Sequence, residues 1–407
     1  MDIVLDIIIT AAALAVTVYL LKKQVNLGLV MLLDSVFIVL AARIPAGSAL
    51  RWAFDGVVSE STVKLILILF LIMMIENIMR NTGMIRSLTD SLKEIVGSNR
   101  LAAGMMPTVI GLLPSPGGAR FSCPMVEEMA GGASDSGNKA FINYWFRHIW
   151  LDGFILYPGV ILAAELLKVS VIDMFLHLIP FMLVSILLGY FFGLRGVKRV
   201  ATERTRPLAE SLRKFILSML PVITVIVVYI LLLNVTPYSL ELASGSMVLI
   251  LFAVKRYSFK EILKTAREAF PVKLVIIILG VMVFKEILLE SGAIVGLSGL
   301  MKNYGIPTAV LFILLPLAGG FTSGITVSYV SLTFPILIPL GLGDSLWYAA
   351  IAFTAGSIGG MITPLHLCAV MTADFFKSPL SRLLKRIAAA EAPLLLLAIV
   401  LLILLVR

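Results

Sequence analysis

Runs of about twenty apolar residues, separated by short polar connectors, recur along the whole chain. A helix needs about 20 such residues to cross the hydrocarbon core of a bilayer. The pattern predicts spans at 2–22, 26–43, 63–80, 140–165, 171–194, 213–234, 239–254, 272–290, 347–374 and 391–406. Two more apolar stretches, 101–130 and 306–342, are interrupted near their middles by Pro/Gly-rich runs. These predict re-entrant hairpins that enter and leave on one side, because irregular backbone at that depth is tolerated only under cover of protein or a water-filled cavity. The expected fold is an all-α polytopic membrane protein of ten spans and two hairpins.

Composition agrees with the pattern. Of 407 residues, 60% are hydrophobic and 14% charged, against roughly 45–50% apolar and about 25% charged in soluble domains. The net charge of +9 lies in short loops between apolar runs, with no basic face carrying interleaved aromatics, so nucleic acid is not an expected partner. Cys123 and Cys368 are too few and too scattered for a disulfide framework. His148, His177 and His366 show no HExxH or similar metal-ligand spacing, so no metal is expected from motif. The run from Ile3 to Leu21 lacks a basic leader and a small-residue cleavage site, and is expected to be a retained span.

Lys and Arg set the orientation. With the N-terminus outside, the inner side holds Lys22, Lys23, Arg80, Arg86, Lys93, Arg100 and the basic runs at 195–214, 255–273 and 377–386. The outer side is left with Arg43, Arg51, Lys64, Lys168, Lys302 and Arg407. That asymmetry is the one cytoplasmic loops show, and the expected location is the inner (cytoplasmic) cell membrane. The segment KSPLSRLLKRIAAA (377–390) reads as an amphipathic basic helix lying on the inner leaflet.

The chain also repeats itself. VKLILILFLIMMIENIMRNTGMIRSL (63–88) aligns with VKLVIIILGVMVFKEILLESGAIVGL (272–297) at an offset of 209, with 9 of 26 positions identical. LLPSPGG (112–118) matches LLPLAGG (314–320) at an offset of 202. Each copy, 1–200 and 201–407, holds five spans and one hairpin, and an odd span number inverts the second copy relative to the first. Inverted repeats of this kind are characteristic of secondary transporters, whose substrates sit near the midplane where broken helices meet.

Candidate chemistry follows from those breaks. The first tip offers Ser115, Gly117, Gly118, Arg120 and Ser122, and the second Gly319, Gly320, Thr322, Ser323, Gly324 and Thr326. A helix leaving such a tip presents unpaired N–H groups and a positive dipole end, which suit an anion. Arg120 adds a guanidinium, whose planar fork binds carboxylate or phosphate, and a structural ion pair with Asp152 is its other reading. Later in each copy, Asn143, Arg147, His148 and Asp152 precede a break at Tyr157-Pro158-Gly159, and Ser357 and Thr363 precede a break at Pro364 followed by His366. Proline frees a carbonyl that a cation can use. Asp152, His148 and Asn143 are the candidates for a coupling proton or sodium ion, while Thr363 and His366 join the substrate set. Spacing puts Arg147 and His148 on one helical face with Asp152, and Arg147 near the inner interface.

Two inverted five-span units, each with a hairpin followed by a broken helix, resemble the ion transporter superfamily of citrate, dicarboxylate, gluconate and arsenite carriers. The motifs LLPSPGGARFSCP and GGMITPLHLC are similar to a poorly characterised branch of it, a domain of unknown function. The resemblance implies a homodimer with a scaffold and a moving, elevator-like transport unit. The tips lack the Ser-Asn-Thr of the dicarboxylate carriers. The expected function is therefore secondary active transport of a small anion, an organic carboxylate or oxyanion, coupled to protons or sodium. An uncoupled channel is the alternative and an intramembrane enzyme a weaker one. No cofactor beyond the coupling ion is expected.

Overall fold

The structure is a computed structural model. It describes residues 17, 19–20, 23, 25–112, 119–200, 206–291 and 307–406, leaving out the side chains of Arg120, Ala133, Leu151 and Asp152. Most of the expected span 2–22, the tip residues Ser115, Gly117 and Gly118, and Lys302 lie outside the described residues.

The described chain is helical. Up to residue 200 it forms α1 (Leu27–Ala41), α2 (Ala46–Val58), α3 (Glu60–Asn81), α4 (Met84–Val96), α5 (Asn99–Gly111), α6 (Ala119–Ala130), α7 (Ser136–His148), α8 (Pro158–Leu167) and α9 (Val171–Phe192). After it come α10 (Leu208–Leu232), α11 (Ser239–Val254), α12 (Phe259–Ala269), α13 (Val272–Glu290), α14 (Leu311–Ser323), α15 (Thr326–Leu337), α16 (Leu346–Ile362), α17 (Leu367–Phe375) and α18 (Leu380–Val406).

Local sequence explains many of the starts. The side chains of Ser59, Asp135 and Ser170 each accept from a backbone N–H of the first turn that follows, satisfying one of the orphan donors of a helix start. Pro158 opens α8, where its missing N–H costs nothing. A reciprocal Ser258–Glu261 capping box starts α12 and holds the Glu261 carboxyl below the usual carboxylate range.

Among the described residues, five stretches are long and apolar enough to cross a membrane: Ala46–Asn81, Val171–Gly196, Leu208–Leu232, Leu346–Phe375 and Leu380–Val406. Shorter apolar helices, α1, α8, α11, α14 and α15 among them, pack beside these. The long helices turn large apolar side chains outward, such as Leu183 and Leu187 on α9, Ile216 and Val227 on α10, and Leu396 and Ile403 on α18. Apolar faces of that extent are stable against lipid and not against water. This is a multi-pass membrane protein.

One consequence is measurable. Leu183 is 53% exposed near the middle of α9, so Leu183→Arg places a charge toward hydrocarbon at about 2.5–3.5 kcal/mol. The expected result is a sharp fall in membrane-inserted protein, with Leu183→Ala near wild type. Equal yields of the two variants in the membrane fraction would refute a lipid-facing α9.

The helices of 27–200 pack reciprocally with those of 208–406. α3 lies against α11 and α12, and α13 lies against α1 and α2; α8 contacts α15, and α17 contacts α6; α9 contacts α16, and α18 contacts α7. Most of the core joins one large cluster that draws on both parts, while a second cluster is centred on α7.

Three sequence expectations differ in detail. The interruption in 140–165 begins at Ile149, with a 3-10 turn at Ile149–Asp152, and Pro158 resumes the helix instead of breaking it. The turn of the second hairpin lies at Gly324–Ile325, while Gly319 and Gly320 are inside α14. The segment 377–390 is no separate surface helix, because α18 runs unbroken from Leu380 to Val406. Its Arg386 is drawn inward, donating to Asn138 Oδ1 at 2.6 Å and to the Phe192 carbonyl, with its guanidinium 5.0 Å from the Phe141 ring.

Candidate functional site

Two broken helices form the site. In the first, α7 ends at His148, and a 3-10 turn and a coil lead to Pro158. In the second, α16 ends at Ile362 and α17 begins at Leu367, with Thr363-Pro364-Leu365-His366 between. Thr363 sits in the extended region (φ −80°, ψ 141°), as a residue before proline prefers.

The breaks meet. His148 and His366 stack edge to face with ring centroids 4.7 Å apart, and Tyr144 lies 4.6 Å from one ring and 5.3 Å from the other. The Tyr144 hydroxyl donates to the Met361 carbonyl in the last turn of α16, at 3.1 Å. Cys368, two residues after His366, brings its thiol to the same place. The side-chain ligand atoms of His148, His366 and Cys368 lie within 4.8 Å of one another.

One turn earlier on α7, Asn143 is fully buried and ties three helices together. Its Nδ2 donates to Cys123 Sγ on α6 at 3.1 Å and to Thr372 Oγ1 on α17 at 3.0 Å, the latter 229 positions away in sequence. Asn143 Oδ1 accepts no hydrogen bond from the described residues. An unpaired acceptor in a low-dielectric interior costs about 1–3 kcal/mol.

The second hairpin closes on the second break. Gly324 has φ +66°, a left-handed conformation that glycine adopts without strain. A Cβ built there would stand 3.2 Å from the His366 backbone nitrogen and 3.2 Å from Thr363 Cγ2. At the start of α15, buried Thr326 meets Gly159 at the start of α8. The starts of α8, α15 and α17 thus converge on the breaks. Their N-cap residues, Tyr157, Ile325 and His366, make no side-chain capping bond. Uncapped N–H groups and positive dipole ends at one place favour negative charge.

The structure therefore brings together Asn143, His148, Thr326, Gly324, Thr363 and His366 of the residues expected from sequence. Ser122 is buried on α6 and donates to the Ala119 carbonyl. Thr322 and Ser323 donate to carbonyls of their own helix, at Ala318 and Gly319. Gly320 lies where α14 crosses α16 against Gly356 and Gly360. Arg120 holds the second position of α6 and Asp152 the end of the 3-10 turn, their side chains outside the description. Because α7 stops at His148, Asp152 does not continue its helical face, and the four- and five-residue spacing loses its meaning. Arg147, expected at the interface, is buried at 6% exposure with its backbone against Gly111 of α5.

Cys368, Thr372, Tyr144 and Cys123 are site residues that sequence reasoning passed over. The available signal was the pair His366-x-Cys368 directly after Pro364. A separate pocket of about 210 Å³ between α3, α8, α10 and α11 is lined by Lys64, Glu165, Tyr229 and Glu241 and includes none of the His–Cys residues. No curated protein matches this chain. Over residues 5–406, the sequence carrying this broken-helix seam belongs to the family described as Protein of unknown function (DUF401).

Proposed function

We propose that the protein is a secondary active transporter of a small anion, an organic carboxylate or an oxyanion. The observation that carries this reading is the convergence of three uncapped helix starts, those of α8, α15 and α17, on two broken helices. In such folds, half-helix N-termini hold the anionic group while C-terminal ends and free carbonyls hold the coupling cation. Here α7 and α16 end where α8 and α17 begin, so both kinds of terminus stand at the same seam. Asn143 Oδ1, His148 and Asp152 are the groups assigned to a coupling proton or sodium ion, and Arg120, at the start of α6, to the anion.

The reciprocal packing of the helices before and after residue 200 supports an inverted repeat with its halves at 1–200 and 201–407. On this reading α5–α6 and α14–α15 are re-entrant hairpins, and they move with the broken helices past a scaffold containing α3 and α13. A homodimer in the inner membrane with its N-terminus outside, as in the ion transporter superfamily, completes the proposal.

Reconstitution into liposomes tests it. Uptake of labelled carboxylates and oxyanions is expected to require an inward proton or sodium gradient, whereas gradient-independent flux would identify an uncoupled channel. Arg120→Ala is expected to weaken anion binding roughly tenfold to a hundredfold, the effect of losing a charged hydrogen-bond pair of about 1.5–3 kcal/mol. Unchanged anion affinity in that variant would remove Arg120 from the site.

A further inference from the structure

We propose that His148, His366 and Cys368 form a site for a soft or borderline transition-metal cation, Zn²⁺ or Cu⁺. Their ligand atoms lie within 4.8 Å of one another. Bonds of about 2.0–2.3 Å in a tetrahedral site require ligands about 3.5 Å apart, a closure that small side-chain rotations supply.

The imidazoles are already oriented for it. His148 Nδ1 stands 2.6 Å from the Tyr144 carbonyl and His366 Nδ1 stands 2.9 Å from the Gly360 carbonyl. A carbonyl can only accept, so each Nδ1 carries the proton and, in the neutral ring, each Nε2 holds the lone pair. Metal-ligating histidines are oriented by this second hydrogen bond. Both carbonyls lie in the last turns of α7 and α16, at dipole ends that favour a cation.

The donor set selects the metal class. Two imidazoles and a thiol suit Zn²⁺ and Cu⁺, whereas Mg²⁺ and Ca²⁺ require oxygen ligands. Charge fits the setting as well. Cu⁺ with one thiolate and two neutral imidazoles is neutral overall, while Zn²⁺ leaves one positive charge and one open coordination position that an anion can fill. His148 is buried, and His366 and Cys368 are partly exposed, so the cluster has an accessible side. The inference goes beyond the transport reading and holds whichever solute the protein carries.

The test reads binding. The purified full chain in detergent is stripped with chelator and loaded separately with Zn²⁺ and, under reducing anaerobic conditions, with Cu⁺. After desalting, retained metal is measured by elemental analysis, and Co²⁺ serves as a spectroscopic probe of thiolate ligation. About one ion per chain is expected from at least one of the two metals, with a thiolate-to-cobalt charge-transfer band. Cys368→Ser, close in size, should abolish the band and weaken retention more than tenfold, and His366→Ala should also weaken retention. His177→Ala should change neither. Size-exclusion profiles confirm that each variant is folded. No metal retained by the wild type, or retention unaltered in folded Cys368→Ser, overturns the site.

Discussion

Replacing Gly320 by valine is expected to leave no folded, monodisperse protein. Gly320 lies where α14 crosses α16, and a Cβ there would overlap the Gly356 carbonyl oxygen and come within 2.8 Å of the Gly360 nitrogen. The facing surface is equally bare, since a Cβ at Gly359 would overlap the Leu317 carbonyl. Backbone thus packs on backbone, the contact small residues permit between membrane helices. Side chains can rotate away from an added methyl, but a helix backbone cannot, so the whole crossing must separate. Overpacking a rigid core typically costs about 1–3 kcal/mol, and a branched side chain against two main chains exceeds that range. Gly319→Ala is the control. Its new methyl meets Thr333 Cγ2 at 3.1 Å and Tyr329 Cβ at 3.3 Å, contacts relieved by shifts of a few tenths of an ångström instead of the separation of two main chains. Size-exclusion chromatography and thermal unfolding in detergent distinguish the two. A Gly320→Val protein that elutes and melts like wild type would show that the crossing accommodates a branched side chain.

That crossing also shows where sequence reading stops. Gly319-Gly320 reads as a turn, because paired glycines after a proline usually mark one. Only tertiary contact reveals that the second pair serves close helix packing while the chain turns at Gly324. The helices α11 and α13 begin and end at the limits of apolar runs, beside charged or proline-bearing connectors that the sequence displays. The basic stretch 377–390 reads as a surface helix because its charges are amphipathic. It continues into the last span because the intervening Ala-Ala-Ala-Glu-Ala is strongly helix-forming. Arg147 was placed at the interface by counting from the end of an apolar run, but the break at Ile149 and the crossing at Gly111 enclose it. Pairings such as His148 with His366, or Asn143 with Thr372, leave no trace in periodicity, which is a local property of one helix. The residues with chemistry were visible one at a time, and their assembly was not.

Asn143→Ala is expected to reduce transport far more than it reduces stability. The substitution removes two hydrogen bonds, to Cys123 Sγ and Thr372 Oγ1, from the junction of α6, α7 and α17. Each such bond contributes about 0.5–1.5 kcal/mol net. Against that loss, alanine also removes the buried Oδ1, which accepts nothing from the described residues and burdens the folded state. The two effects partly offset, and the expected stability loss is about 1–2 kcal/mol. If Oδ1 is reserved for the transported solute or its coupling ion, the variant forfeits a contact that exists only in the loaded state. Apparent affinity should then fall by roughly tenfold or more, since every 1.4 kcal/mol is a factor of ten. Thermal unfolding and liposome uptake of one preparation separate the terms. Thr372→Val supplies the comparison, because it breaks one of the same bonds while keeping Oδ1. Uptake that tracks stability equally in both variants would make Asn143 a structural tie between three helices. A selective loss in Asn143→Ala places its oxygen on the transport path, one turn of α7 from His148 and the His–Cys cluster.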